Sequence, residues 1–365
     1  MKVAIIGLRG FPDIQGGIET HCLNIYPVLA KMGYEPVVFR RKGYVDKKIS
    51  QTKFENIEFI DLWTPRNKYF ENIFHSFRSI LEAKKSGVKL LHIHGIGPAL
   101  LTPLAKFLGM KVVVTHHGRD YNRKKWGKFA KWFLQKGENI GLRYSDAMIC
   151  VAKEFEETNC NSPFAQKIHY IPNGVVATGS VKDDVILNEL GLHEKKYILG
   201  VGRLVEEKGF HDLIEAYVKA DFNDEMPLVI VGENDFKEAY TRRLIENKPE
   251  NVIFAGRRDR SALAQLYENA ALFVLPSYHE GHPIVLLEAM SHGLPVVVSD
   301  IVENRLPELT DKCFYPAGDV EALASKLKAV LTEGVSERIS YELQGYSWDK
   351  IARATADIYR DVTNS

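Results

Sequence analysis

Short runs of β-branched and aliphatic residues alternate with longer amphipathic stretches along the whole chain, and this constrains the fold more than any single motif. In the first half the runs fall at Lys2–Gly7, Pro36–Arg40, Ile57–Leu62, Leu90–His94, Lys111–His116, Ala147–Val151 and Ile168–Ile171. In the second half they fall at Tyr197–Val201, Leu228–Val231, Val252–Ala255, Ala271–Leu275, Pro295–Ser299 and Cys313–Tyr315. Each is nearly continuous in apolar character, as befits strands covered on both faces of a parallel sheet. Repeated strand–helix units of this kind predict an α/β architecture. The chain has 365 residues; domains of roughly 150–200 residues then make two cores the natural division. The turn-rich segment Pro172–Ser180 separates the two series. The expected order is a first α/β domain over 1–172, a linker over 173–180, a second over 181–345 and a closing helix within 346–365. That helix reads as amphipathic from Lys350 to Val362, with Ser347 or Asp349 as its cap. Two such domains are expected to leave a cleft at their strand C-termini, where open parallel sheets bind ligands.

Apolar content of 45% and charged content of 26% exclude a disordered chain and fit a soluble globular one. No stretch approaches the roughly 18–20 apolar residues that span a bilayer. The first apolar run is broken at Gly7–Gly10 and does not read as a signal peptide. Cys22, Cys150, Cys160 and Cys313 form no CxxC pair and no zinc spacing with histidine, so a reduced, cytoplasmic protein is expected. The net charge of +1 hides an asymmetry. Residues 1–178 carry 27 basic against 15 acidic groups, and residues 179–365 carry 21 against 32. A basic first half suggests an anionic partner there, such as a phospholipid surface or a phosphate-bearing acceptor. Independent drift of two solvated domains would give the same asymmetry. Nucleic acid is not an expected partner.

Three loops at strand ends carry the candidate chemistry. After the apolar run Ala271–Pro276 comes Ser277-Tyr278-His279-Glu280-Gly281-His282-Pro283-Ile284, leading into a helix that contains Glu288. A proline just inside a helix start loses only a donor that would be orphaned anyway, and the free N–H groups there favour an anion. An anion site flanked by Glu280 and Glu288 suits a ligand with phosphate at one end and hydroxyls elsewhere, such as a nucleotide sugar. Arg203 and Lys208 leave the end of the Tyr197–Val201 run on one loop and could both reach a diphosphate, or could simply pair with Glu206 and Glu207. The first loop, Gly7 to Glu19, lacks G-x-G-x-x-G, which disfavours an NAD-dependent oxidoreductase. It places Gly16 and Gly17 at a helix start, where bare backbone could approach a phosphate or merely allow a tight turn. His117 stands between a strand end and Gly118 and is expected to face the ligand. His94 holds a similar place one strand earlier, and its shared parity with His92 also fits a core pair.

Taken together, Glu280 and Glu288 with seven residues between them, Gly202-Arg203-Leu204 with Lys208-Gly209, and a terminal helix opened by Ser347-Trp348 resemble the retaining glycosyltransferases of family 4. Gly16-Gly17 with Glu19, and Pro172-Asn173-Gly174-Val175, are similar to that family as well. The resemblance covers essentially the whole chain. It implies the GT-B fold, two facing Rossmann-like domains with parallel sheets and an interdomain cleft. It also implies that Gly16 and Gly17 hold donor phosphate or sugar, Arg203 and Lys208 neutralise the diphosphate, and Glu288 binds ribose hydroxyls. Glu280 would lie near the donor sugar, with the Gly281, His282, Pro283 and Ile284 backbone contacting sugar and phosphate. His117 and Glu280 would be the catalytic pair, Arg258 would lie on the loop addressing the base, and the terminal helix would cross back to the first domain. The implied activity is retaining transfer from a nucleotide sugar, UDP- or GDP-linked, to a glycan or lipid-linked acceptor in surface polysaccharide or glycolipid synthesis. No metal and no further cofactor are expected.

The segment Arg119–Lys136 is basic and interleaved with Trp126, Phe129, Trp132 and Phe133 at spacings of three and four. The aromatics could be the buried face of a helix. Alternatively Arg123, Lys124, Lys125, Trp126, Lys128 and Lys131 meet an anionic membrane or a lipid-phosphate acceptor, giving a peripheral protein at the inner membrane face. An epimerase or hydrolase acting on nucleotide sugars, and a non-catalytic nucleotide- or glycan-binding protein, are the alternative functions.

Overall fold

The computed structural model describes residues 1–45, 54–65, 70–119, 121, 127–176, 184–222, 226–233, 239–332 and 338–364. They form two compact units, Met1–Gly174 with Tyr346–Ser365, and Val175–Gly345.

In chain order the first unit contains β1 (Lys2–Ile6), α1 (Gly17–Lys31), β2 (Glu35–Arg41), β3 (Glu58–Leu62), α2 (Glu71–Lys85), β4 (Leu90–His94), α3 (Ile96–Ala99) and α4 (Thr102–Phe107). It continues with β5 (Lys111–His116), α5 (Lys128–Tyr144), β6 (Ala147–Cys150), α6 (Lys153–Thr158) and β7 (Ile168–Tyr170). The seven strands lie in the order β3-β2-β1-β4-β5-β6-β7, all parallel. The order reverses between β1 and β4, the point where the crossing loops of such a sheet part and ligands are received.

Helices cover both faces of this sheet. Cys22, Ile25, Tyr26 and Leu29 of α1 pack with Val3, Ile5 and Leu90 on one face. The other face carries Ile80 and Ala83 of α2 and Leu142 of α5 against Ile6, Val37, Ile93 and Val114.

The second unit contains α7 (Val185–Leu190), β8 (Ile198–Val201), α8 (Phe210–Ala220), β9 (Leu228–Val231), α9 (Ala239–Glu246) and β10 (Val252–Gly256). It continues with α10 (Arg260–Asn269), β11 (Leu272–Leu275), α11 (Ile284–Ser291), β12 (Val296–Ser299), β13 (Phe314–Tyr315) and α12 (Val320–Thr332). The six parallel strands run β10-β9-β8-β11-β12-β13, so the order again reverses, here between β8 and β11. Both sheets thus have the architecture of the GT-B fold.

The last helix, α13 (Trp348–Asn364), belongs to the first unit. Trp348, Ile351, Ala352, Ala356, Tyr359 and Val362 recur at helical spacing and bury one stripe in the same cluster as α1. Burying each large side chain of that stripe contributes about 1.5–3 kcal/mol. The helix opens at Trp348, directly after Ser347, the first of the two expected caps, and Asp349 stands in its first turn, where a carboxylate suits the positive dipole end.

The expected linker also begins later than its turn-rich composition implies. Asn173 is buried and shares a 2.9 Å hydrogen bond with His21, and Gly174 lies directly against Trp348 and Ile351. Residues 177–180 of that segment lie outside the described residues.

Candidate active site

In the second unit, β8 runs into Gly202-Arg203 and a single turn, Glu206–Lys208. Gly209 closes the turn with φ of 65°, and a Cβ there would stand 2.1 Å from the Pro276 carbonyl oxygen. Only glycine fits such a backbone and such an approach. The loop after β8 is thereby held against the end of β11, and the Tyr278 amide donates to the Glu207 carbonyl at 2.9 Å.

This contact sets the charges. Lys208 Nζ donates to Glu280 Oε1 at 2.5 Å, and Ser277 Oγ donates to the same oxygen at 2.6 Å. Glu280 is buried, and Ser277 is fixed in turn by Ser299 Oγ donating to its carbonyl at 2.5 Å. Arg203 reaches Glu207, with 3.9 Å between guanidinium and carboxylate. Lys208, expected at the diphosphate, and Glu280, expected at the sugar, are therefore paired with each other, while Arg203 pairs with Glu207.

The helix α11 begins at Ile284, with Pro283 as its N-cap and not inside the first turn. The extended φ, ψ of Pro283 (−74°, 103°) explains the shift of one residue. His282 is buried beside it, and burial lowers its pKa to about 4. Glu288 lies in the second turn and accepts from Tyr267 Oη at 3.1 Å. Burial raises its carboxyl pKa to about 7, against the opposing pull of Tyr267 and Arg260. Arg258 turns onto its own unit, donating to the Ala255 carbonyl at 2.7 Å and to Glu189 of α7 at 2.8 Å.

In the first unit, Gly7 ends β1 at φ of 98°, and a Cβ there would meet the His94 carbonyl oxygen at 2.1 Å. The ends of β1 and β4 are thus drawn together at the switch point. Gly16 is the N-cap of α1, and Gly17 its first residue. Glu19 in the first turn accepts from the Arg9 amide at 3.0 Å and from Arg9 Nε at 3.1 Å. Burial opposes ionisation of Glu19, but the charge and hydrogen bonds of Arg9 outweigh it and hold the carboxyl below its ordinary value. A carboxylate therefore already lies against Gly16 at this helix start, an arrangement the glycine pattern did not announce.

His117 follows β5 and is half-buried. Its Nε2 lies 2.9 Å from Nδ1 of His94, and the two rings stack with centroids 5.2 Å apart. His21 of α1 packs edge-on to His117 at 5.0 Å. Burial, then the neighbouring imidazoles, drives the pKa of His94 and His117 far down, and burial brings His21 to about 4. The preceding His116 serves elsewhere, bonding Glu138 at 2.9 Å and stacking on Phe155. His21, His94 and His117 each turn a ring nitrogen inward, all within 4.8 Å of one another.

Arg123, Lys124, Lys125 and Trp126 lie outside the described residues. Lys128 and Lys131 stand in the first turn of α5, whose inward residues are Gly137, Gly141 and Leu142. Phe129 is 77% exposed and Trp132 53%, so these two aromatics are not a buried helix face. Phe70, Phe74, Phe77 and Leu81 line α2 at intervals of four, three and four and are exposed too.

Residues 15–178 match the family described as Glycosyltransferase Family 4, and residues 183–346 match Glycosyl transferases group 1. The chain is 31% identical to the processive diacylglycerol alpha-glucosyltransferase of Acholeplasma laidlawii, over 69% of this chain and 79% of that one. The chain belongs to glycosyltransferase family 4. This family 4 glycosyltransferase is also 27% identical to the UDP-Gal:alpha-D-GlcNAc-diphosphoundecaprenol alpha-1,3-galactosyltransferase of Escherichia coli, over 76% of this chain and 77% of that one. In structure the glycosyltransferase is similar to sucrose-phosphate synthase from Thermosynechococcus elongatus, with a TM-score of 0.82 at 22% identity over 100% and 99% of the two chains. Among its described residues, no helix is long and apolar enough to cross a membrane.

Proposed function

We propose that this glycosyltransferase moves a sugar, with retention at the anomeric carbon, from a nucleotide-sugar donor to a glycan or lipid-linked acceptor. The observation that carries the reading is the buried group of Lys208, Glu280 and Ser277 at the ends of β8 and β11, with Glu288 one helix turn beyond. In it, Lys208 and Arg203 would take the diphosphate, Glu288 the ribose hydroxyls and Glu280 the sugar, while the start of α11 adds backbone N–H groups. Breaking the anomeric C–O bond leaves oxocarbenium character on the sugar and negative charge on the departing diphosphate. Fixed cations and N–H donors aimed at that growing charge are worth about 100- to 1,000-fold each in rate. The scheme asks for no metal ion.

A lipid-linked acceptor presented at an anionic membrane is supported by the relatives' names and by the surface of the first unit. Phe129 and Trp132 of α5 and the aromatic stripe of α2 are exposed on helices that pack the same sheet face. Arg78, Lys84 and Lys85 on α2 and Lys128, Lys131 and Lys136 on α5 supply the charge that favours an anionic leaflet.

Purified protein assayed with its donor tests the assignment. Lys208→Ala and Glu288→Ala should each weaken nucleotide-sugar binding, whereas His117→Ala should mainly slow transfer. Wild-type turnover in all three would refute the site, and an inverted product anomer by NMR would refute retention.

A further inference from the structure

Behind His117 runs a continuous file of hydrogen-bonding groups, all buried in the first unit. His92 Nε2 meets Thr115 Oγ1 at 2.6 Å, and His92 Nδ1 meets the Tyr359 hydroxyl at 2.5 Å and the Tyr26 hydroxyl at 3.0 Å. The Tyr26 hydroxyl meets His94 Nε2 at 2.5 Å, and His94 Nδ1 meets His117 Nε2 at 2.9 Å. The file draws on α1, β4, β5 and α13, and it ends on the one histidine assigned to the transferred sugar.

We propose that Tyr26 and His94 are positioning residues that hold His117 as its neutral Nδ1–H tautomer, so that this ring meets the substrate as a hydrogen-bond donor and not as a base. The part concerning substrate rests on the placement of His117 argued under Proposed function; the tautomer does not.

Proton counting carries the assignment. Tyr26 has one hydroxyl proton and three acceptors within reach, His94 Nε2 at 2.5 Å, His92 Nδ1 at 3.0 Å and the Tyr359 hydroxyl. The nearer partner of His92 Nδ1 is Tyr359, and with the Tyr359 proton directed there the short Tyr26–His94 contact takes the Tyr26 proton. His94 Nε2 must then be bare, and a neutral imidazole carries its single proton on the other nitrogen. That nitrogen, Nδ1, faces His117 Nε2, which can accept only if it too is bare. The proton of His117 is thereby assigned to Nδ1. Burial keeps His92 at about 3 and His94 and His117 far below the ordinary imidazole range, so none of the three carries a second proton near neutrality. The hydrogen bond at one ring nitrogen deciding the state of the other is a general property of histidine.

A divalent cation is the competing occupant of the three inward nitrogens. Zinc lies roughly 2.1 Å from each histidine ligand, so two ligands can be at most about 4.2 Å apart. Two nitrogens of a tetrahedral zinc site stand roughly 3.4 Å apart, whereas His94 Nδ1 and His117 Nε2 approach to 2.9 Å, a hydrogen-bond distance.

The test is nitrogen-15 NMR of the full-length, histidine-labelled chain without donor, at neutral pH, with His117 assigned from the His117→Gln variant. The proposal expects a protonated Nδ1 and a bare Nε2 for both His94 and His117. In Tyr26→Phe both rings should shift toward their Nε2–H forms. In turnover that variant should lose about 100-fold in kcat, the scale for one lost donor, with donor KM within about twofold. An Nε2–H His117 in the wild type overturns the proposal, and needs no variant to be observed. Tautomers unmoved by Tyr26→Phe, or stoichiometric cobalt(II) binding that removes both signals, also overturn it. A shifted tautomer with unchanged kcat would sink only the substrate-facing part, so the two readings fail separately.

Discussion

Lys208 Nζ sits 2.5 Å from Glu280 Oε1, and both side chains are largely withdrawn from solvent. A buried carboxylate tolerates its desolvation only while a partner of opposite charge and further donors surround it. Lys208 is therefore structural before any ligand arrives, and the diphosphate of a donor would have to share it. Lys208→Ala should lower stability by about 3 kcal/mol, while Lys208→Ala combined with Glu280→Gln should recover much of that loss. Chemical denaturation of the single and double variants measures the coupling, and additive losses would show that the pair is not one.

Glu288 predicts a pH dependence of donor binding. Its carboxyl has a pKa of about 7 in the folded chain against an ordinary 4.5. Protonation thus favours the folded state, and the contribution of this group to stability declines as pH rises from about 4.5 through 7. Ribose hydroxyls donating to the carboxylate would draw the pKa back down and release a proton. Donor affinity should rise between about pH 6 and 8, and calorimetry in buffers of different ionisation enthalpy should detect the released proton. In Glu288→Gln both effects should vanish.

The buried histidines act in the opposite sense. His21 and His282 have pKa values of about 4 and His75 and His92 about 3, all lowered chiefly by burial from 6.5. The unfolded chain binds the extra protons first, so the stability from keeping these rings neutral is complete above about pH 6.5 and is lost as pH falls toward 4. Melting temperature should fall steeply across that window. Replacing His75, which lies outside the candidate site, by glutamine should flatten the slope without abolishing donor binding.

Exposed aromatics on α2 and α5 predict reversible membrane attachment. Phe129→Ser with Trp132→Ser should reduce binding to anionic vesicles by about tenfold, on the basis of roughly 25 cal/mol per Å² of apolar surface inserted. Neutralising Lys128 and Lys131 should reduce it further and weaken its salt dependence. Vesicle sedimentation decides the matter: unchanged binding of both variants would assign these aromatics to another partner.

The strands were legible in the sequence because each parallel strand is covered on both faces and writes a continuous apolar run, as Leu90–His94 and Leu228–Val231 do. The loops around Lys208 and Glu280 were legible because glycine, proline and charge cluster at strand ends. Their pairing was not, since it depends on Gly209 closing onto Pro276. The histidine file was illegible for a plainer reason. His21 meets Asn173 across 152 positions and His92 meets Tyr359 across 267, and no local spacing encodes contacts of that range. Parity alone linked His92 to His94, and nothing in the pattern distinguished Tyr26 from any other buried tyrosine. The stripe Phe70, Phe74, Phe77 and Leu81 has the periodicity of a core face, and only the packing of α2 reveals that it points outward.

The proposed activity requires the second unit to bind a nucleotide sugar through Lys208 and Glu288. A thermal-shift series of UDP-, GDP- and dTDP-linked sugars tests it most directly, because a ligand at about 100 times its Kd stabilises the folded chain by about 2.7 kcal/mol. One nucleotide class should raise the melting temperature of the wild type, and Lys208→Ala and Glu288→Ala should each abolish most of the shift. A shift of equal size in both variants, or none with any nucleotide sugar, would contradict it.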